Sequence, residues 1–191
     1  MSLAEWPAAL RLRSATGGLY RGERYVLPAE WEPQRAVWFT WPQNADTWTP
    51  VWPEAEATYE KVIRAALRFQ DVFLLVSTSE LREKLTTRFT SIVIEAKHHL
   101  EILICPTNDS WVRDYGGLTV RATDSSGAIK PAVLSFEFNS WGGKYPPWNL
   151  DNAAPHFMAQ HRGYDLIEIP FVLEGGSIDV NGEGLLLTTR S

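Results

Sequence analysis

Hydrophobic positions in this chain are grouped in short runs separated by polar and turn-forming residues. Runs of five to eight residues rich in Val, Ile, Leu and Phe, bounded by Pro, Gly, Asn or Asp, are typical of buried strands. A later segment, Asp179–Thr189, predicts a β-hairpin around the turn Asn181-Gly182-Glu183-Gly184. The predicted strands are Ala36–Trp41, Asp71–Ser77, Glu101–Cys105, Gly117–Ala122, Ala132–Phe138 and Leu166–Leu173.

Three segments between these runs have the spacing of amphipathic helices. In Pro53–Phe69 the apolar side chains recur three and four positions apart, which places them on one helix face. Ser79–Lys97 has the same spacing and starts at Ser79, a residue type preferred as an N-cap. A weaker pattern covers Asn149–His161. The predicted buried faces consist of Ala55, Tyr59, Val62, Ile63, Ala66 and Leu67, and of Leu81, Leu85, Phe89 and Ile92.

The order of these elements favours a mixed α/β fold. A simple doubly wound sheet fits poorly, because several predicted strands follow one another without a helix between them. Residues 1–24 contain four arginines and show little periodicity, so we expect them to be an N-terminal extension. Residues 25–191 are then expected to belong to one domain.

Composition and charge exclude several classes of protein. The 191 residues are 45% hydrophobic and 21% charged, as in ordinary folded proteins. With a net charge of −5 and no basic cluster larger than Arg11 and Arg13, a nucleic-acid partner is not expected. No apolar run approaches the roughly 18 residues of a membrane span. The single cysteine, Cys105, allows no internal disulfide and suits a reducing cytoplasm.

Tryptophan is unusually frequent, with nine residues, and many of them lie beside Pro or Gly in segments with loop-like sequence. Indole rings in loops favour a pocket wall that packs against a ligand or excludes water. They are equally compatible with packing that closes the ends of a sheet-rich fold. Both interpretations stay open on the sequence alone.

Three loop segments carry the polar groups that could do chemistry. The first, Pro106–Gly117, has two carboxylates, an arginine and two aromatic rings directly after a predicted strand. The second, Leu173–Ser177, has Glu174 at the end of an apolar run, where burial is costly unless a cation meets it. The third, Phe138–Tyr145, combines aromatic residues with two glycines. Each segment could equally be a solvated turn, with Asn108 and Asp109 bonded to their own backbone in the first.

Together, these segments and two earlier ones resemble the agmatine deiminases of the bacterial-type peptidylarginine deiminase family. The resemblance runs from about residue 25 to residue 189. It implies the pentein fold, an α/β propeller of strand-strand-helix-strand units, of which this chain would form the N-terminal part. The segments that carry it are Leu27–Trp38, Trp41-Pro42-Gln43-Asn44 with Trp48, Asn108–Asp114, Phe138–Tyr145 and Leu173–Ile178.

The resemblance also implies a reaction, the hydrolysis of a guanidinium group that converts agmatine and water into N-carbamoylputrescine and ammonia. In such enzymes a cysteine thiolate attacks the guanidinium carbon and a histidine moves the protons. By motif, Asp114 and Glu174 match the two acidic residues that hold the guanidinium. Bidentate carboxylates suit this planar cation. The substrate-binding residues expected around them are Trp111, Asp109, Arg113, Trp141 and Gly175.

The sequence departs from the family in one important respect. The family's Gly-His-x-x-Asp motif and its late nucleophilic cysteine have no match, so we expect this chain to be part of a longer protein and inactive alone. Cys105 ends an apolar strand and is expected to be a buried thiol without a catalytic role. The four histidines, His98, His99, His156 and His161, are expected to be surface or structural residues.

Several alternatives stay open at this stage. The substrate could be peptidyl-arginine or free arginine, because the same residues would hold the guanidinium. A protein of another class, a guanidinium-binding or structural pentein without catalysis, is the second alternative. No metal or other cofactor is implied, and the sequence leaves open whether the protein forms a homodimer.

Overall fold

The computed structural model describes residues 18–20 and 23–189. The chain divides into two compact units, which are described separately below. The first unit consists of the described residues of Met1–Glu32, Gly116–Glu137 and Pro155–Ser191, and the second consists of Pro33–Tyr115 and Phe138–Ala154.

The second unit is built on a three-stranded parallel sheet with the order β3-β4-β5. Its strands are β3 (Ala36–Thr40), β4 (Asp71–Val76) and β5 (Leu100–Ile104). Their register aligns Thr40 with Leu75 and Val76 with Ile104, so all three carboxyl ends lie at one edge of the sheet. The helices are α1 (Ala45–Trp48), α2 (Trp52–Ala66), α3 (Ser79–Glu95), α4 (Val112–Tyr115), α5 (Ser140–Gly143) and the first part of α6 (Asn149–Arg162).

The core of the second unit forms where α2 and α3 pack on this sheet. All residues of the central strand from Val72 to Val76 are buried, as expected for a parallel strand covered on both faces. The buried cluster consists of Trp41, Ile63, Leu67, Val72, Leu74, Val76, Leu85, Phe89 and Ile92. This buried cluster holds the three strands together, and the loops of the candidate site extend from the carboxyl ends of those strands.

The first unit contains a five-stranded sheet with the order β1-β2-β6-β7-β8. Neighbouring strands are antiparallel from β1 to β7, whereas β7 and β8 are parallel. A two-stranded antiparallel hairpin, β9–β10, follows. The strands are β1 (Gly18–Tyr20), β2 (Glu23–Val26), β6 (Leu118–Thr123), β7 (Ile129–Glu137), β8 (Asp165–Val172), β9 (Ile178–Val180) and β10 (Leu186–Thr188).

Comparison with the sequence-based expectations shows which elements the pattern located. The six predicted strands, the three helices and the hairpin are all present, with shifts of a few residues at their ends. Two details were wrong. Val62 is 44% exposed and does not belong to the buried face of α2. The N-cap of α3 is Thr78, whose hydroxyl accepts a hydrogen bond from the Leu81 amide, and Ser79 is the first helical residue.

The N-terminal extension predicted for residues 1–24 lies outside the described residues, except for 18–20 and 23–24. Those residues belong to β1 and β2, and β2 pairs with β6. The division into an extension and one domain stays a prediction.

Candidate functional site

The candidate site is built on loops that leave the carboxyl edge of the β3-β4-β5 sheet. Residues that follow parallel strands at this edge are brought close together, which makes the edge a common place for ligands in α/β folds. The loop after β3 leads into α1, and the loop after β5 carries Asn108 to Trp111 and leads into α4. One segment with candidate chemistry, Pro106–Gly117, therefore leaves the same edge as the segment Trp41-Pro42-Gln43-Asn44, which is one of those that carry the family resemblance.

The Asp109 carboxylate joins these two loops. Its Oδ2 accepts hydrogen bonds from Thr47 Oγ1 at 2.5 Å and from Asn44 Nδ2 at 3.4 Å. Its Oδ1 accepts from Trp48 Nε1 at 3.1 Å and from the Ser110 amide at 2.7 Å. The open alternative of a local turn accounts only for the bond from the Ser110 amide, because the other three donors lie more than sixty positions away in sequence.

Asn108 and Asp151 connect the same loop to the first turn of α6. Asp151 Oδ1 accepts from the amides of Asn108 at 2.8 Å and Asp109 at 3.3 Å. Asn108 Oδ1 accepts from the amides of Leu150 at 2.8 Å and Asp151 at 3.3 Å. The Asp151 side chain is buried, and this burial raises its pKa to about 6 in spite of the hydrogen bonds from the two loop amides.

Tyr115, at the end of α4, makes hydrogen bonds that connect the loop carrying Asp109 to β3. Its hydroxyl donates to the Asp109 carbonyl at 3.0 Å and lies 2.7 Å from Thr40 Oγ1. Since a phenol has a single hydrogen to donate, the Thr40 hydroxyl is the donor in the second contact. Burial raises the pKa of Tyr115 far above its ordinary range, so this phenol stays protonated. Asp114, one residue earlier in α4, is half-buried, and its amide donates to the Trp111 carbonyl.

An aromatic wall, defined as Trp48, Trp111, Trp141, Phe138 and Tyr145, runs along this site. The Trp48 and Trp111 rings stack with centroids 5.7 Å apart, and Trp141 meets Trp111 edge-on at 6.1 Å. Phe138 and Tyr145 both pack edge-on against Trp141. Trp111 is 41% exposed, so it is available to a ligand. This arrangement supports the pocket-wall interpretation of the loop tryptophans.

The segment that carries Trp141 has an unusual backbone. In α5 all four residues from Ser140 to Gly143 have positive φ angles, of 52°, 55°, 81° and 78° in order. Two of these residues are not glycine, so the backbone is strained there. Asn139 stabilises the turn, because its side chain accepts from the Gly142 amide and its carbonyl accepts from the Gly143 amide. Strain of this kind is concentrated at functional sites.

Glu174 and Gly175 lie in the first unit, directly after β8. Glu174 is half-buried and precedes a 3-10 turn at Gly175–Ser177. Its carbonyl accepts from the amide and the hydroxyl of Ser177, at 3.0 and 2.7 Å. Gly175 is buried. The shared role of Asp114 and Glu174 stays a prediction.

The cysteine and the four histidines lie outside the loop Asn108–Trp111 and outside the aromatic wall. Cys105 is buried at the end of β5, and its burial raises the pKa of the thiol to about 11. His98 lies 3.4 Å from Asp71, and His156 lies 3.3 Å from Glu168. His161 stacks on Phe157, and His99 is exposed. The prediction of a buried thiol and of surface or structural histidines is confirmed.

Sequence reasoning located some of these residues and missed others. It selected Asp109, Trp111 and Trp141, which the structure places in one group within the second unit. It also selected Arg113, which is exposed on α4 next to Asp114. It did not find Asp151, although an acidic residue in the first turn of a predicted helix is a recognisable capping signal.

Comparison with known proteins assigns the chain to a family. Residues 26–191 match the family model described as Porphyromonas-type peptidyl-arginine deiminase. The chain belongs to this family. The matched range includes every residue of the candidate site, so the motifs first noted in the sequence lie in the part that defines the family.

Relatives of this chain are named agmatine deiminases. The agmatine deiminase of Pseudomonas savastanoi pv. phaseolicola is 34% identical over 178 residues, which cover 89% of this chain and 45% of the relative. The agmatine deiminase of Pseudomonas syringae pv. syringae is 34% identical over 175 residues, with the same coverage. This chain therefore spans less than half the length of these relatives.

Solved structures of agmatine deiminases are similar in fold to this chain. A C. jejuni agmatine deiminase with substrate bound matches 90% of this chain and 47% of that chain, with a TM-score of 0.73 and 29% identity. The agmatine deiminase of Enterococcus faecalis matches 86% of this chain and 43% of that chain, with a TM-score of 0.67 and 29% identity. The predicted α/β fold of the pentein type is confirmed.

Two further features concern residues 18–20 and 23–189, the described part of the chain. No helix in this part of the chain combines the length and the apolar character that crossing a membrane requires. No cluster of three or more His, Cys, Asp or Glu side chains there has the arrangement of a metal site.

Proposed function

We propose that the full-length protein hydrolyses agmatine to N-carbamoylputrescine and ammonia. The observation that carries this proposal is the similarity to a C. jejuni agmatine deiminase solved with its substrate, over 90% of this chain. The site itself supports it, because the exposed indole of Trp111, in the loop after β5, lies three residues before a half-buried carboxylate, Asp114. A flat cation is favoured both by an aromatic face and by a carboxylate.

In this proposal the chain supplies the groups that bind and orient the guanidinium. Asp114 and Glu174 accept its N–H groups, and Trp111 and Trp141 border the substrate. Arg113 and Gly175 are also proposed to contact the substrate. Asp109 is proposed to act mainly by holding the wall, because its carboxylate already accepts from Thr47, Trp48 and Ser110.

The bond-breaking groups are proposed to lie in a part of the protein that these 191 residues do not include. There a cysteine thiolate would attack the guanidinium carbon, ammonia would leave, and water would cleave the covalent intermediate with proton transfer by a histidine. In this proposal the thiolate and the histidine carry the covalent chemistry, so no metal or other cofactor enters the scheme.

The product suggests the metabolic setting. N-carbamoylputrescine contains the putrescine skeleton, so removal of its carbamoyl group by a second hydrolase would yield putrescine. We therefore propose a role in putrescine and polyamine biosynthesis. We place this role in the cytoplasm. That the protein forms a homodimer stays a prediction. Cell fractionation tests the compartment, and sedimentation of the full-length protein tests the assembly.

The decisive experiment measures ammonia and N-carbamoylputrescine released from agmatine by the full-length protein. We expect Asp114→Ala and Glu174→Ala each to lower kcat/KM by about 100-fold or more, because a guanidinium loses a charge-assisted partner. Asp165→Asn, a change at an exposed carboxylate, is the control and should leave kcat/KM unchanged. Calorimetry with agmatine gives the binding loss directly.

The same assay separates the alternatives. The family description favours a second candidate, peptidyl-arginine as substrate. Ammonia released from peptidyl-arginine or arginine but not from agmatine would establish that candidate instead. Binding of agmatine without hydrolysis would identify a non-catalytic pentein. Equal agmatine binding by wild type and by the Asp114→Ala, Glu174→Ala double variant would refute the assigned residues.

A further inference from the structure

We propose that Asp151 is a positioning residue that holds the loop Asn108–Trp111 in its substrate-binding arrangement. The inference rests on the proposed function, because this loop carries Trp111 and leads into Asp114. Asp151 belongs to none of the segments with candidate chemistry found in the sequence.

Asn108 and Asp151 form a reciprocal pair of caps, here called the Asn108–Asp151 clamp. Asp151 Oδ1 receives the backbone amides of Asn108 and Asp109, while Asn108 Oδ1 receives the amides of Leu150 and Asp151. The amides in the first turn of a helix have no partner within the helix, so Asn108 satisfies two of them. This is the logic of a capping box, made between segments that are 43 positions apart. The clamp therefore couples the start of α6 to the loop after β5.

A carboxylate at the position of Asp151 lowers the stability of the fold, because burial removes it from water. The residue Asp151 is only 3% exposed, and burial disfavours the charged form of its side chain. A neutral acceptor could cap the loop amides without that cost. An ionised carboxylate makes shorter and stronger hydrogen bonds to amides, which gives a more rigid loop. Functional sites commonly contain residues that make a loop more rigid and, at the same time, lower the stability of the fold.

A chain of contacts connects the Asn108–Asp151 clamp to the aromatic wall. Asp151 fixes the Asp109 amide, and the Asp109 side chain accepts from Trp48 Nε1. The Trp48 ring stacks on the exposed Trp111 ring. Loosening of the clamp is thus expected to disorder the face that meets the substrate, although Asp151 itself does not touch that face.

The pH dependence caused by Asp151 can be distinguished from that of the groups around it by comparing wild type with Asp151 variants. The titratable groups around it are Asp109 and Tyr115, with Cys105 next to Tyr115. Burial raises the pKa of both the phenol and the thiol, so both stay neutral between pH 5 and 8. On the same helix, His156 contacts Glu168 and His161 contacts Phe157. These groups are present in wild type and variants alike, so their effects cancel in the comparison.

The test compares KM and kcat for agmatine in wild type, Asp151→Asn and Asp151→Ala forms of the full-length protein from pH 5 to 8. At pH 7.5 we expect Asp151→Ala to raise KM about tenfold or more and to change kcat less than about threefold, since a charged hydrogen-bond acceptor is lost. Asp151→Asn keeps an acceptor and should have a smaller effect. Wild-type KM should fall as the pH rises through about 6, and this dependence should be absent in Asp151→Asn. Asp165→Asn should behave as wild type.

A second measurement needs no ligand. Amide hydrogen exchange at Asn108 and Asp109 should be about tenfold faster or more in Asp151→Ala, while exchange in β4 is unchanged. Unchanged exchange at the loop amides would show that the clamp does not hold the loop. Faster exchange with an unchanged KM would show that the loop is held but does not position the substrate. Either result overturns the proposal.

The experiment also separates this proposal from the proposed function. If the wild-type protein hydrolyses arginine or peptidyl-arginine and not agmatine, the proposed function is wrong, and the same KM comparison with that substrate decides the role of Asp151. If wild type neither binds nor hydrolyses any of these guanidinium compounds, both proposals are wrong.

Discussion

At the scale of the residue, Asp151 shows how burial makes stability depend on pH. Its folded-state pKa of about 6 lies above the ordinary value of 3.8. Between these two values the folded protein keeps a proton that the unfolded chain has released, so this contribution is fully present below about pH 4. It is lost as the pH rises through about 6, by up to about 3 kcal/mol. We expect Asp151→Asn to remove this dependence, as measured by denaturant unfolding between pH 4 and 7.5.

The control for this measurement is Asp165→Asn, which should keep the wild-type slope. A slope in Asp151→Asn equal to that of wild type would mean that Asp151 is not the group responsible. Stability and substrate affinity are expected to change in opposite directions in wild type, because protonation stabilises the fold but weakens the clamp. A residue with only a structural role would change both in the same direction.

The loop after β5 shows what a sequence can and cannot reveal about a site. Asp109 and Trp111 were found because they are adjacent polar and aromatic residues after a predicted strand. On the sequence alone a local turn was an open alternative for Asn108, whereas in the structure its side chain caps α6. Its partners lie more than forty positions further along the chain, and hydrophobic periodicity carries no information about such pairs. The resemblance to a family identified the segment, and only the fold showed its connections.

At the scale of the element, α5 connects backbone strain with the aromatic wall. Trp141 has a φ of 55°, a conformation in which glycine is unstrained and other residues are disfavoured by about 1 kcal/mol. We expect Trp141→Gly to be more stable than Trp141→Ala by about this amount, since both lack the ring and only the first relieves the strain. Thermal unfolding of the two variants measures the difference.

Both Trp141 variants should bind agmatine more weakly than wild type, because both remove a ring from the wall. Equal stability of Trp141→Gly and Trp141→Ala would show that the turn is not strained at this residue. Wild-type affinity in both variants would exclude Trp141 from the substrate site.

A second element-scale prediction concerns the contact between α2 and α3. Arg88 in α3 donates from Nη1 to Glu56 at 2.6 Å and from Nε to Glu60 at 2.9 Å, and its guanidinium lies over the Trp41 ring. A lysine cannot reproduce two directed contacts and the stacking together. We expect Arg88→Lys to lower the free energy of unfolding by about 1 kcal/mol, with a smaller loss at high salt. Arg82→Lys, at an exposed position on the same helix, should have no effect.

The helices and strands themselves were predictable where the apolar spacing was strong. The faces of α2 and α3 were located because burial selects that spacing, as the buried Leu85 and Phe89 show. Val62 was assigned to the wrong side because an apolar residue at the margin of a helix face is not always covered. The strands β1 and β2 were missed because they are short and have polar residues and arginine within and around them.

At the scale of the whole molecule, the sequence predicted the type of fold but not the arrangement of its sheets. The pairing of β2 with β6 joins residues about one hundred positions apart, and the parallel pair β7–β8 spans a complete helix. Such pairings depend on tertiary packing, for which one sequence without relatives contains no direct signal. The resemblance to the family supplied the fold class, which the solved structures then confirmed.

The last prediction follows from the single cysteine of the chain. The proposed reaction requires a thiolate, and burial raises the pKa of Cys105 to about 11, so the thiolate is scarce at neutral pH. We therefore expect these 191 residues alone to release no ammonia from agmatine. In the full-length protein Cys105→Ala should keep kcat/KM within about twofold and should cost about 1 kcal/mol of stability through lost packing. An inactive but folded Cys105→Ala protein would instead make Cys105 the nucleophile, and the proposed division of the site between this chain and the rest of the protein would be wrong.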